Sequence, residues 1–245
     1  MNLNEYLNVI VEFLKNYLPD NHQDCYVLGI SGGVDSSLVA ALAKKAVGKD
    51  KLFCYAMPID SLIDDENDAV RLAKHLDLNY EVVDLTKPYH EMVKIYESTG
   101  VKLDLSTKGN LKARLRMATL YAFAQNKRGL VLGTDNMDER YTGYYTKYGD
   151  GGVDLLPIAH LLKREVVEAC LILGLPEDLA RRIPSAGLYQ GQTDESEMGI
   201  TYNDLDDYIL GKKINEEAKN KIERLHRISA HKRNPIPTPE EYKRG

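Results

Sequence analysis

The sequence predicts an α/β protein, a mainly parallel sheet with helices on both faces in a Rossmann-like arrangement. Three observations lead there. Short apolar runs of strand length alternate with longer stretches of helical periodicity. The first such run ends in a Gly-Gly turn that passes straight into a helix. No internal repeat or linker composition divides the 245 residues, so one domain spanning 1–245 is expected.

The elements follow in order. Tyr6, Leu7, Ile10, Val11, Leu14 and Leu18 share one face of an opening helix. Cys25 to Ile30 is an apolar run short enough to be a buried strand, and Ser37 to Ala43 continues as a helix. The pattern repeats with a strand at 51–57, a helix at 64–76 and a strand at 80–85. A long helix at 110–126 leads to a strand at 129–133. Residues 135–152 are polar, rich in Tyr and Gly, and too many for a plain connection. After a helix near 164–173, a second polar stretch runs from 184 to 199. Helices near 203–210 and 215–228 precede a basic tail, His231-Lys232-Arg233-Asn234-Pro235. Ligands in such sheets bind beyond the carboxyl ends of the strands, where the Gly-Gly loop and the Thr134 loop both fall.

Composition narrows the function classes. A formal charge of -5 argues against a general nucleic-acid binder. The N-terminus lacks the basic and apolar regions of a signal peptide, and no apolar run approaches the roughly 18 residues of a membrane span. Cys25, Cys54 and Cys170 form no CxxC pair and fall on expected strands and a helix, which suits small core residues. A cytoplasmic protein without nucleic-acid or membrane partners is expected.

The chemistry concentrates in Gly29-Ile30-Ser31-Gly32-Gly33-Val34-Asp35-Ser36. A strand, a glycine turn and a helix start offer backbone N–H groups and a positive helix end to a phosphate, with no lysine required. Gly32 and Gly33 allow the tight turn, and the serines add hydroxyl donors. The loop is not a Walker A motif, since no Gly-Lys-Ser/Thr follows, and Ser31 stands where a dinucleotide fingerprint needs its second glycine. Asp35 is the informative residue. A carboxylate among phosphate-binding amides repels the ligand unless Mg2+ sits between them; the plain alternative is a helix cap.

Ser31 to Ser36 resembles the PP-loop of the N-type ATP pyrophosphatases, whose fold is adenine nucleotide alpha hydrolase-like. Further segments resemble the NAD synthetase family within that group: 109–117, 133–139, 147–158, the loop from Pro184 with Gln192-Thr193-Asp194-Glu195, and His231-Lys232-Arg233. The resemblance implies ATP cleaved to AMP and pyrophosphate, with ammonia amidating an adenylated deamido-NAD in the last step of NAD biosynthesis. By position, it implies Mg2+ on Asp35 and Glu139, and ATP on the loop, Thr134, Lys163 and Ser185. Deamido-NAD would fall to Arg114, Lys147, Asp154, His231 and Lys232. Asp35 and Lys163 would carry the catalytic charge. Ser185 is a mild departure from threonine in that pattern. A homodimer with the dinucleotide at its interface is also implied.

Residue chemistry agrees for most of these. Guanidinium and ammonium groups suit an anionic dinucleotide, and Lys163 suits the charge that builds on leaving pyrophosphate. Each has a plainer reading: Glu139 as a solvated loop acid, Arg114 and Arg116 as an exposed basic face, the tyrosines of 141–148 as loop packing, and residues 231–233 as a solvated tail. About 24 residues before the first strand leave no room for an amidase, so no glutaminase domain and free ammonia are expected. A tRNA-modifying relative, a non-catalytic nucleotide module and a GMP synthetase subunit are the rival readings.

Overall fold

The run of aliphatic and aromatic residues at 25–29 forms β1 (Cys25–Gly29), the central strand of an all-parallel sheet. β2 (Leu52–Ala56) lies on one side of it and β4 (Gly129–Leu132) on the other, with β3 (Asn79–Val82) outside β2. Tyr26 pairs with Leu52 and Leu28 with Cys54, while Cys25 pairs with Gly129 and Leu28 with Leu132. The computed structural model describes residues 1–61, 63–182 and 193–244.

Alternation along the strands sorts the core into two layers, as a sheet covered on both faces requires. Tyr26, Leu28, Leu52, Cys54 and Leu132 face one way, under α1 (Leu3–Asp20), α2 (Val34–Val47), α3 (Ile63–His75) and a later helix, α7 (Lys163–Ile172). Val27, Tyr55 and Val131 face the other way, under α4 (Thr86–Ser98) and α5 (Leu105–Asn126). Tyr26 is fully buried, and its hydroxyl donates to the Leu14 carbonyl at 2.7 Å, which satisfies its one polar atom inside the layer.

Beyond β4 the chain makes α6 (Met137–Thr142), then α7 and the short α8 (Glu177–Ala180). It ends in α9 (Asp194–Met198), α10 (Tyr202–Ile209), α11 (Glu216–Ile228) and α12 (Ala230–Arg233). Met198, Ile200, Tyr202, Leu205, Ala218 and Ile222 form a separate apolar cluster with Tyr141 and Tyr144 packed on it. That cluster is the foundation for α6 and α9 at the carboxyl end of β1 and β4. Strands are added on one side of β1 up to β3 and on its other side at β4, so a crevice opens beyond the carboxyl ends of β1 and β4.

Three sequence expectations need correction. Residues 135–152 contain a helix, so Glu139 is not a loop acid: it is the third residue of α6, where its carboxylate and Asn136 form a reciprocal capping box. The basic segment after residue 230 is not a free tail at its start, because α12 packs on the α6–Gly143 turn through Lys232 and Arg233. The segment at 86–98, where no helix was expected, is α4. It buries only Tyr89 and Val93.

Candidate functional site

β1 hands over to α2 through Ser31-Gly32-Gly33. Gly32 has φ +77, and a Cβ there would lie 2.8 Å from the Ala69 nitrogen and from Cβ of Asp68. The turn therefore needs both the left-handed conformation and the missing side chain. Gly33 caps α2 without a side-chain hydrogen bond, which leaves the first-turn N–H groups of the helix available to an anion. The Ser36 and Ser37 hydroxyls donate to the Gly33 carbonyl at 3.0 and 2.8 Å, tightening the loop around its opening.

Asp35 is not the helix cap. Its Oδ1 accepts from Asn136 Nδ2 at 2.9 Å, and its Oδ2 pairs with Lys163 Nζ at 2.6 Å. The same Nζ lies 3.3 Å from Glu139 Oε1. Three elements, α2, α6 and α7, thus converge on one ammonium group. The Lys163 side chain is 5% exposed, with Asp35 at 17% and Glu139 at 14%, so the ion cluster sits inside the protein wall with one side open. Burial and the Asp35 charge push the Glu139 carboxyl up to about 8, against the pull of Lys163. The two carboxylates hold the Lys163 ammonium well above its usual range despite burial.

The start of α7 is fixed as firmly as its lysine. Lys163 N donates to Asp138 Oδ2 at 2.8 Å and to Asp206 Oδ1 at 3.2 Å, and Met137 N donates to the Leu161 carbonyl at 2.9 Å. A carboxylate at a helix N-terminus is well placed for this. Asp138 is pushed up to about 8 by burial and by Asp206 beside it.

A second wall of the same cavity comes from α9. Asp194 is 5% exposed and lines the cavity. Its Oδ2 accepts from the Tyr202 hydroxyl at 2.9 Å, while its Oδ1 is buried with no hydrogen-bond partner among the described residues. The Tyr202 ring lies under Lys163 Nζ at 4.7 Å, and its hydroxyl also approaches Glu139 Oε1 at 3.5 Å. The cavity holds about 510 Å³, bounded also by Thr134 and by Tyr55, Met57 and Leu120. An apolar slot beside a phosphate loop suits a nucleobase and its phosphates.

The residues assigned to the dinucleotide gather in a second zone. Arg114 Nη2 donates to the Lys147 carbonyl at 3.4 Å, and Lys147 Nζ to the His231 carbonyl at 2.7 Å. Lys232 lines the cavity and donates to the Gly143 carbonyl at 2.6 Å. Burial holds the Lys232 ammonium below its usual range. Asp154 is engaged by the protein itself, accepting from Tyr121 Oη at 3.0 Å and from Val131 N at 2.8 Å. Ser185 lies outside the described residues. Asn136, Asp138, Asp194, Tyr202 and Asp206 were missed as site residues. The Asn136-to-Glu139 spacing carried a readable capping-box signal, whereas Tyr202 and Asp206 read only as helix positions.

Two carboxylates from separate elements, both hard oxygen donors beside a phosphate loop and joined by one cation, make a donor set that fits a divalent metal. The arrangement can bind a nucleotide triphosphate and carry positive charge to its phosphates. The three cysteines are buried thiols, with Cys54 and Cys170 each pushed up to about 12 by burial, so none offers the cavity a thiolate.

The family described as NAD synthase matches residues 6–236. The NH(3)-dependent NAD(+) synthetase of Mesoplasma florum is 46% identical over 245 residues, covering all of both chains. Among solved structures, the NMN synthetase of Francisella tularensis superposes with a TM-score of 0.93 at 37% identity, over 98% of this chain and all of that one. The NH3-dependent NAD synthetase of Campylobacter jejuni gives 0.81 at 27% identity, over 98% of this chain and all of that one.

Proposed function

The chain belongs to the NAD synthase family, and from that premise we propose that it amidates deamido-NAD with ammonia, using ATP and releasing NAD, AMP and pyrophosphate. The observation that carries the reading is the Lys163 ammonium, joined to Asp35 and Glu139 beside the 31–36 loop.

The nicotinate carboxylate attacks the α-phosphorus of ATP, the α–β bridging bond breaks, and pyrophosphate leaves. Ammonia then attacks the acyl carbon of the adenylated substrate. AMP departs with the acyl oxygen, and one proton is released. Because the substrate supplies the nucleophile, the protein needs to position and to neutralise charge. The 31–36 loop holds phosphates with its amides. Thr134, Lys163 and Ser185 contact ATP, and Lys163 meets the charge gathering on pyrophosphate. Mg2+, held by Asp35 and Glu139, would offset phosphate charge there. Arg114, Lys147, Asp154, His231 and Lys232 receive deamido-NAD, a role supported by the hydrogen-bonded run from Arg114 through Lys147 to His231 and by Lys232 in the cavity lining. Free ammonia is the nitrogen source, in line with how the curated relatives are named. The single domain works in the cytoplasm, where three free thiols are at home.

We read the active form as a homodimer. Ile95, Val101 and Leu105, on and around the α4–α5 connection, are 61%, 52% and 67% exposed, apolar side chains that a second copy would cover.

Purified protein given ATP, Mg2+, deamido-NAD and ammonium should yield NAD, AMP and pyrophosphate in equal amounts. ADP in place of AMP would overturn the mechanism. A second reading has an observation behind it: the higher TM-score to a protein named for a mononucleotide product favours nicotinate mononucleotide as the acceptor. Comparing kcat/KM for the two acceptors decides between them.

A further inference from the structure

Lys163 occupies the position that a divalent cation needs. Its Nζ sits on Asp35 and Glu139, so a residue of the chain supplies the positive charge between the two carboxyl groups. A metal entering between them must displace the ammonium, and a displaced ammonium inside the protein wall requires another anionic partner.

One is built beside it. Among the described residues Asp194 Oδ1 is buried without a hydrogen-bond partner within bonding distance, with the Tyr144 hydroxyl nearby, an expensive condition for a carboxylate oxygen. Its Oδ2 is fixed by the Tyr202 hydroxyl, and the Tyr202 ring already lies under Nζ. The Tyr202 hydroxyl thus lies between the two sites, in reach of Glu139 Oε1 at one side and bonded to Asp194 Oδ2 at the other. Asp35, Glu139, Lys163 and Asp194 all line the same cavity.

Resting on the metal-site reading above, we propose that Asp194 is the second seat of Lys163. When a divalent cation takes Asp35 and Glu139, the lysine end moves across the Tyr202 ring to Asp194 Oδ1, from where it meets the phosphates. Asp194 is a positioning residue acting through Lys163. It sets how readily the ligand-free protein accepts metal and where the catalytic ammonium waits.

Mn2+ binding to the full ligand-free chain, read from the free-ion paramagnetic resonance signal, tests this without turnover. Lys163→Met should bind Mn2+ about tenfold more tightly than the parent, because nothing then competes for the two carboxylates. Asp194→Asn should weaken Mn2+ in the parent, and this loss should exceed its loss in the Lys163→Met background by about threefold or more. Asp194→Ser gives the same comparison if the Asn variant does not fold. Equal losses in both backgrounds would overturn the proposal, since Asp194 would then act by long-range charge or on structure alone. So would an affinity unchanged in Lys163→Met. Asp35→Asn should abolish binding in every background; Mn2+ binding that survives it would overturn the metal site itself, whatever Asp194 does.

Discussion

Asp35 shows how far a single residue can be read. The sequence offers a metal ligand or a helix cap, and the fold removes the second option, because Gly33 is the cap and both Asp35 oxygens are engaged by Asn136 and Lys163. Asp35→Asn should leave the melting temperature within a few degrees of the parent and reduce AMP formation by about a thousandfold or more, a loss on the scale of removing a key charge from the transition state. Normal turnover in that variant would reduce Asp35 to a structural anchor. Asn136, which orients Asp35 across 101 positions, could not be identified this way. A capping motif announces the helix start it serves, and nothing in it names a distant partner. Asp194 is harder still, since one aspartate after a threonine reads as an N-terminal helix acid.

Elements carry their own predictions. The turn into α2 depends on the positive φ of Gly32 and on its closeness to Ala69 and Asp68. Gly32→Ala should cost about 1–3 kcal/mol of stability from backbone strain and raise the KM for ATP, measured by thermal unfolding and initial rates. Helix α6 brings Asp138 and Glu139 into the wall, each pushed up to about 8. An unfolded chain releases these protons near pH 4, so the folded ligand-free protein holds more protons between there and about pH 8. Its stability should therefore fall as pH rises through that window. Melting curves in chelator at pH 5.5 and 8 check this, and a higher melting temperature at pH 8 would contradict it. β1, β2, β4 and α1 were legible from short apolar runs and one periodic apolar face, and α5 was legible over 110–126 from its length between breakers, without a strong apolar stripe. Helix α6 was hidden because it is six residues long and buries only Asp138 and Thr142, so no apolar stripe reports it.

At the scale of the whole molecule, the exposed apolar side chains Ile95, Val101 and Leu105 are the ones a second copy would cover in the proposed dimer. Light scattering should give twice the mass of 27.6 kDa, and Ile95→Glu with Leu105→Glu should return the single-chain mass. A parent already at the single-chain mass, with full activity, would refute the dimer. The sheet order β3-β2-β1-β4 has a last consequence, for how the protein is made. A ribosome delivers β1, β2 and β3 by residue 82 but not the neighbour of β1 on its other side, whose pairing joins Cys25 to Gly129. Through the synthesis of about fifty further residues, on the order of several seconds at typical elongation rates, the central strand has an open edge able to pair with the wrong chain. Lys163 comes later again, so a nascent chain can hold a nearly complete sheet while the carboxylate of Asp35 still lacks its cation. The window for misassembly closes at β4, and the chemistry is completed only afterwards.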